Sequence, residues 1–346
     1  MSIKKHIKYG CFILFTVISF SISFILYLIH SYDTGIKINS TEKSILKTQS
    51  IQVLDLQKNS NIQIAQIYRV ASDSMEIISI HEAFRDSLIQ INEVSEEGQV
   101  NSISLKNLSN QYVFILDGDI ILGAKQNRIF NISMLIGPMK EYYVSVSCIE
   151  KNRWEKSNSS FRPANFLSHK SLRKKKIDSY YKRGSYNQNE VWDEVSNLNK
   201  RYNQRSKTSS HTILYESKKY LIDNLKNKFE INPNANGLAY FINGDLQGIE
   251  VFYNDSIYKS YYSPLISSIC LEGILNSDKN YNNLNKNEVV NIIDQTFNHN
   301  NNNSKNIRSY DGQILGAELK LSDSIMSTNT LIFQNEQIHQ SIIIKN

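Results

Sequence analysis

The chain has 346 residues, 40% of them hydrophobic and 21% charged, with a formal net charge of +6 and only four prolines. This is enough apolar material for a packed core and for one large or two modest domains, and it excludes a disordered, linker-rich chain. The modest charge permits an acidic partner, but it does not supply the concentrated basic face that nucleic acid requires, so no nucleic-acid partner is expected.

At the N-terminus, Lys4, Lys5, His6 and Lys8 precede an uncharged apolar run from Cys11 to Ile29. At ~1.5 Å per residue the run is about 28 Å long as a helix, close to the hydrocarbon thickness of a bilayer. The apolar stretch of a cleaved signal peptide is shorter and ends in a small-x-small site. Phe24 to Ile29 has no small residue at its exit. Residues 11–29 therefore read as a single-pass transmembrane anchor in the cell membrane, with secretion after signal cleavage as the alternative. The basic tail, residues 1–10, stays in the cytoplasm and the body is extracytoplasmic. Residues 30–60 are polar and weakly patterned, and read as a stalk. Residues 61–346 form the body.

Within the body, Ile62 to Val70 alternates like a first strand. His81 to Leu88 has helix-compatible spacing through Ala83, Phe84 and Leu88, and Ile89, Ile91 and Val94 suggest a short strand. Val113–Leu116, then Asp117-Gly118, then Asp119–Leu122 reads as a hairpin, since a type I′ turn needs positive φ at both central residues. Ile129 to Leu135 alternates and is ended by Gly137-Pro138. Tyr142 to Ile149 is a further strand with Val144, Val146 and Cys148 on one face. The order of the first hairpin recurs at Phe241–Gly248 and at Tyr310–Ala317. Either a supersecondary unit repeats, or three turns share the same chemistry.

The basic run Lys170–Lys176 reads as a solvated loop or helix face; the sharper reading is a docking surface for phosphate or anionic lipid. Helical spacing appears at Val191, Val195, Leu198 and Tyr202, and again at Leu214, Lys218, Leu221, Ile222 and Leu225. A third helix is predicted to start at Pro264 and to bury Leu265, Ile269, Cys270 and Ile274. Asn298–Asn303, broken only by His299, reads as a low-complexity loop. The class is α+β: a strand-rich globular domain with several interspersed helices after an N-terminal transmembrane helix.

Chemistry concentrates at Gly123-Ala124-Lys125-Gln126-Asn127-Arg128. Lys125 and Arg128 offer charged donors; Gln126 and Asn127 offer donors and acceptors. Together they are candidates to bind a phosphate, carboxylate or sugar. A regular strand would aim only two of the four at one pocket, and a polar edge protecting the sheet is the alternative. Glu150 continues the apolar face of Val144, Val146 and Cys148, where a carboxylate needs a partner. Arg153 and Arg128 are candidates for that role. The pair Glu150 and Arg153 is either a buried ion pair or a catalytic pair, with Glu150 as general acid or base and Arg153 as charge stabiliser. Trp154 either caps the core or stacks on a ligand. Gln188 opens a helix capped by Asn187 or Asn189, and is a further ligand-binding candidate.

No G-x-S-x-G, P-loop, H-E-x-x-H or G-x-G-x-x-G motif is present. No two of the seven histidines lie at metal-ligand spacing, so no metal or cofactor is expected. There is no CxxC pair. Cys148 and Cys270 form either one disulfide or two buried thiols.

Leu116–Asp119, Gly123–Arg128 and Val146–Glu150 followed by Arg153-Trp154 resemble a bacterial family, the first family of the ARG and rhodanese-phosphatase-superfamily-associated protein domain. Gln188 with Val191-Trp192, Gly244 to Phe252, and His339 fit the same pattern, so the resemblance covers roughly residues 60–346. Ser145 stands where members carry Pro, and Asn187 where they carry an acidic residue. The resemblance implies a link to ADP-ribose or NAD-derived metabolism. The function expected is a membrane-tethered domain that binds an anionic small molecule or nucleotide-sugar through Lys125, Gln126, Asn127, Arg128 and Gln188. The alternatives are a hydrolase of glycosidic or phosphoester bonds acting through Glu150 and Arg153, and a structural or interaction protein.

Overall fold

The computed structural model describes residues 51–70, 74–155, 159–277, 281–303, 306–309 and 315–345. The tail, the anchor segment and the first part of the stalk lie outside the described residues, as does most of the third hairpin-like segment.

In chain order, β1 (Ile51–Asn59) and β2 (Ile62–Arg69) form a hairpin. β3 (Ile77–Ser79) runs straight into α1 (Ile80–Arg85), because Ser79 accepts from the Glu82 N–H and caps the helix. β4 (Ile89–Glu93) and β5 (Ser102–Asn107) pair antiparallel. Next come β6 (Tyr112–Ile115), β7 (Asp119–Gly123), β8 (Arg128–Phe130) and β9 (Met134–Ile136). They are followed by β10 (Glu141–Cys148) and β11 (Phe161–Leu167). Three helices come next: α2 (Lys170–Arg183), α3 (Gln188–Arg201) and α4 (Ile213–Lys226). The hairpin of β12 (Gly237–Ile242) and β13 (Asp245–Phe252) leads to α5 (Asp255–Leu275) and α6 (Lys286–Asn303). The chain closes with β14 (Asn306–Ser309), β15 (Ala317–Ser322), β16 (Met326–Phe333) and β17 (Glu336–Ile344).

The strands make three sheets. The largest is antiparallel, in the order β1-β2-β12-β13-β17-β16-β15-β14; a second runs β11-β7-β8-β10-β5-β4; a third is β3-β6-β9. With six helices among the described residues, this is a strand-rich α+β body. The main core surrounds α5, whose Ile266, Ile269 and Leu271 pack with Ile62 and Ile64 of β2 and with Phe114 and Ile115 of β6. The other face of the large sheet is covered by Val289 and Ile293 of α6. A third cluster joins Ile120, Ile129 and Ile149 to Leu172 of α2 and to Val191 and Val195 of α3. Fully burying each such side chain contributes about 1.5–3 kcal/mol. Among the described residues, no helix is long and apolar enough to cross a membrane.

Several expectations are corrected. Residues 51–59, read as the end of a stalk, are edge strand β1, which is mostly half-buried, with only Gln52 and Lys58 exposed. Asp117-Gly118 is not a hairpin turn: β6 and β7 belong to different sheets. Gly118 has φ +97°, but Asp117 has no positive φ, so the I′ geometry that twists two strands together is absent. Asn243-Gly244 has positive φ at both residues and does close the β12/β13 hairpin. The two copies therefore use similar residues for different joints.

The alternation from Ile129 to Leu135 is divided between β8 and β9, in separate sheets. Asn131 and Ser133 sit at the crossing and bond to Ser145, Ser147 and the Asp117 N–H. Pro264 lies inside α5, which starts at Asp255 because Asn254 caps it. The asparagine tract Asn298–Asn303 continues α6 rather than forming a loop. The basic run opens α2, where Lys174 and Lys175 reach solvent as a helix face would. Arg173 and Lys176 are buried, so the helix docks through charge.

Candidate functional site

Gly123 (φ +113°) and Ala124 (φ +42°) break strand geometry after β7. Lys125, Gln126 and Asn127 consequently form a loop, and the two-sided alternation of a strand does not apply to them. Arg128 re-enters the sheet opposite Cys148. Its guanidinium is fully buried and grips Glu93 of β4, with Nη2 donating to Oε1 at 2.8 Å and Oε2 at 2.9 Å. Nη1 donates to the carbonyls of Gln99, Val100 (3.2 Å) and Ser102 (3.3 Å). The Lys125 N–H also donates to Glu93, at 3.3 Å. The Lys125 ammonium sits 5.9 Å from the centre of the Trp154 ring and makes no hydrogen bond among the described residues. Gln126 Nε2 donates to the Lys151 carbonyl at 3.4 Å, while its Oε1 is buried without a partner among the described residues.

Glu150 accepts three donors: Arg153 Nε at 2.7 Å, Thr208 Oγ1 at 2.7 Å and the Asn127 N–H at 3.3 Å. Arg153 also donates to the carbonyls of Ala124 (3.0 Å) and Gly123 (3.3 Å) and to Asn127 Oδ1 (3.1 Å). Gln188, the first residue of α3, clamps Cys148 from both sides. Its Oε1 accepts from the Cys148 N–H and its Nε2 donates to the Cys148 carbonyl, each at 2.8 Å. The sequence-selected residues are thus brought together, but they mostly satisfy one another. A carboxylate with three donors on it is poorly placed to move a proton. The motif works as a joint that fixes β7, β8, β10 and the start of α3.

A second polar constellation was not selected from the sequence. Arg173 of α2 meets Glu250 of β13, which also accepts from Ser341 Oγ (3.0 Å) and lies 2.9 Å from His339 Nε2. Burial works against the Glu250 carboxylate, but the Arg173 charge and the His339 contact outweigh it and hold its pKa below the ordinary value. Lys176 Nζ contacts Asp117 and the Phe130 carbonyl at 2.5 Å each. A Cβ on Gly118 would come within 2.6 Å of the Arg173 side chain, so this turn needs glycine for space as well as for φ. Asp119 accepts from the Tyr261 hydroxyl (2.6 Å) and the Leu116 N–H (2.9 Å), and its Oδ1 lies 3.2 Å from His81 Nε2. The sequence signal was the Asp-Gly-Asp turn, read only for its backbone; Glu250 and His339 lay inside stretches noted for their resemblance. Among the described residues there is no group of three or more His, Cys, Asp or Glu able to hold a metal ion.

Open space lies beside the joint. A cleft of about 350 Å³ runs between β11, α4 and α5. Arg162, directly opposite Leu122 in the β7/β11 ladder, is exposed on its rim. Its guanidinium forms no ion pair or hydrogen bond among the described residues. Phe166 stacks on Tyr215 at 3.9 Å in the same cleft. Lys219 pairs with Asp223 (2.5 Å), Lys226 donates to Ser263 (2.8 Å) and Glu216 accepts from Thr212 (2.7 Å). The lining carries three cations, Arg162, Lys219 and Lys226, against two carboxylates, Glu216 and Asp223. None of the sequence-selected residues lines it, but the joint anchors β7, which supplies Leu122 to the lining and pairs with β11.

A family model described as the ARG and Rhodanese-Phosphatase-superfamily-associated Protein domain matches residues 50–343. No curated protein and no solved structure matches the chain.

Proposed function

This chain belongs to the ARG and Rhodanese-Phosphatase-superfamily-associated Protein domain family, and we propose that it is a membrane-tethered domain that binds an anionic, sugar-phosphate-type small molecule. The observation that carries this reading is the Arg162 guanidinium, unpaired among the described residues, beside the Phe166–Tyr215 stack in a cleft of ligand size. A guanidinium suits phosphate oxygens, and a stacked aromatic edge suits a sugar or base. The seat moves from residues 125–128 to the cleft, because Arg128, Asn127 and Gln188 are engaged within the protein. The Lys125 ammonium, over the Trp154 ring, has no hydrogen bond or ion pair among the described residues. The Cys11–Ile29 run supplies the tether, which puts the body outside the cytoplasm.

Calorimetry on the full chain in detergent tests the reading, with ADP-ribose, ribose 5-phosphate and inorganic phosphate as probes. Binding of a phosphorylated sugar that Arg162→Ala weakens tenfold or more is the expected result. Failure of the wild type to bind any probe would overturn it.

One observation favours a hydrolytic reading, though at a different place from Glu150. Asp119 is held by Tyr261 and contacts the ring of His81, which is partly exposed. A carboxylate that orients an accessible imidazole is the arrangement of a general base. Turnover of phosphoester or ADP-ribosyl substrates that His81→Gln abolishes and Glu150→Gln spares would favour this reading. No turnover by the wild type would end it.

A further inference from the structure

We infer a second ligand site, for a neutral saccharide, in a groove of about 470 Å³ between the β1/β2 hairpin, the Pro233-Asn234 turn and the start of α5. Gln52 lies directly opposite Tyr68 in the β1/β2 ladder, so the carboxamide and the phenol ring share one face. The register shifts between Val53 and Asp55, and a bulge of this kind twists the edge strand locally.

Part of the lining is structural. Asn236 accepts from the Arg69 N–H (2.9 Å) and donates to the Arg69 carbonyl (2.8 Å), and Asn254 Oδ1 caps α5 at the Ile257 N–H (3.0 Å). The rest is open. The side chains of Gln52 and Asn234 make no hydrogen bond among the described residues, and Tyr68 is 37% exposed. Asp255 uses Oδ2 on Lys259 (2.8 Å), and its Oδ1 has no hydrogen bond among the described residues.

The composition of the groove selects the ligand class. It contains no Lys, Arg or His, and the one charge in the lining, Asp255, is a carboxylate paired with Lys259, so an anion would find no counter-charge among the lining residues. Two carboxamides, Gln52 and Asn234, each set a donor beside an acceptor, which matches adjacent hydroxyls on a sugar. The tyrosine ring offers an apolar plate for the C–H face of a pyranose. The groove shares no residue with the cleft around Arg162, so either proposal can fail without the other.

The test is a glycan array carrying neutral and acidic oligosaccharides, probed with the full chain in a detergent that has no sugar head group. Calorimetry on the strongest neutral binder follows. Expected is binding confined to neutral glycans, weakened tenfold or more by Tyr68→Ala and by Gln52→Ala, with unchanged thermal melting, and unaffected by Arg162→Ala. Binding only to acidic glycans, no binding at all, or binding undiminished in both groove variants would overturn the inference.

Discussion

Arg173 of α2 and Glu250 of β13 meet inside the protein, with Nη1 2.5 Å from Oε1 and both side chains less than 8% exposed. The contact explains how a helix rich in lysine and arginine comes to be buried at all. Its inward face carries Arg173 and Lys176 beside the apolar Leu172 and Ile177, and the two charges are matched by carboxylates on the sheet and on the Asp-Gly-Asp turn. A buried charge whose partner is removed is strongly destabilising, by about 3–5 kcal/mol, whereas an apolar pair of similar volume is tolerated. Glu250→Gln should therefore cost the protein about 3–5 kcal/mol in urea unfolding, and Arg173→Met combined with Glu250→Leu should cost less. A double variant less stable than Glu250→Gln would show that the ion pair itself holds α2 in place.

Acidification should weaken the protein in a window set by two other buried groups. Burial pushes His169 down to about 3, with like charge from His211 adding to it, and burial alone pushes His211 down to about 4. Both folded-state values lie below the ordinary 6.5, so the unfolded chain binds the extra protons. Their contribution is complete above pH 6.5 and falls as the pH drops toward 4, with a slope of up to about 1.4 kcal/mol per pH unit for each histidine. The lowered Glu250 pKa works in the same direction but at lower pH, below the ordinary carboxylate value of 4.5. Unfolding free energies measured across this range should show two limbs, and His211→Gln should flatten the upper one. A flat profile from neutrality down to the carboxylate range would contradict the neutral burial of these rings.

Arg128 and Glu93 give a separate prediction about the motif. Arg128 holds three carbonyls and both oxygens of Glu93, a set that the single ammonium of lysine cannot span. Arg128→Ala should destabilise by about 3–5 kcal/mol, the range for a broken buried pair, and Arg128→Lys, which keeps the charge, by less. Any loss of ligand binding in Arg128→Lys should scale with the loss of folded protein. If Arg128→Lys instead melts like wild type and loses only ligand affinity, the residue faces a ligand and the joint reading is wrong.

The alternation of Tyr142–Cys148 and the spacing of Val191, Val195 and Leu198 were legible because each element buries an ordinary apolar face. α2 was not legible, because its buried face is charged and its apolar pattern is weak. Whether Arg173 and Lys176 meet water or carboxylates depends on Glu250 and Asp117, which are distant in sequence. The Asp-Gly turn misled for a similar reason. Its residues suit a hairpin, but only Gly118 takes positive φ, and the destination of β7 is fixed by pairing with β8 and β11. The motif residues were legible as a cluster; their mutual saturation was not, since it rests on backbone carbonyls that side-chain chemistry does not reveal. Arg162 and the Phe166–Tyr215 stack carry no sequence signature, because β11 and α4 are separated in the chain by α2 and α3 and touch only in the fold.

The cysteines decide between the two states that the sequence left open. Cys148 and Cys270 are both free and buried. Cys148 Sγ donates to the Val100 carbonyl at 3.2 Å, and burial pushes its thiol up to about 11 against a smaller opposing pull from Arg128. Burial raises Cys270 to about 12. The thiolate is the reactive form, so both groups are protected twice, by low ionisation and by lack of access. Native protein treated with N-ethylmaleimide should leave both residues unlabelled in peptide mass spectrometry, and denaturation in guanidinium should expose both. Thermal melting should be the same with and without reductant, because no cross-link constrains the unfolded chain. A peptide pair joined through Cys148 and Cys270, or fast labelling of either thiol in the native state, would contradict the packing of β10 against the loop that carries Val100.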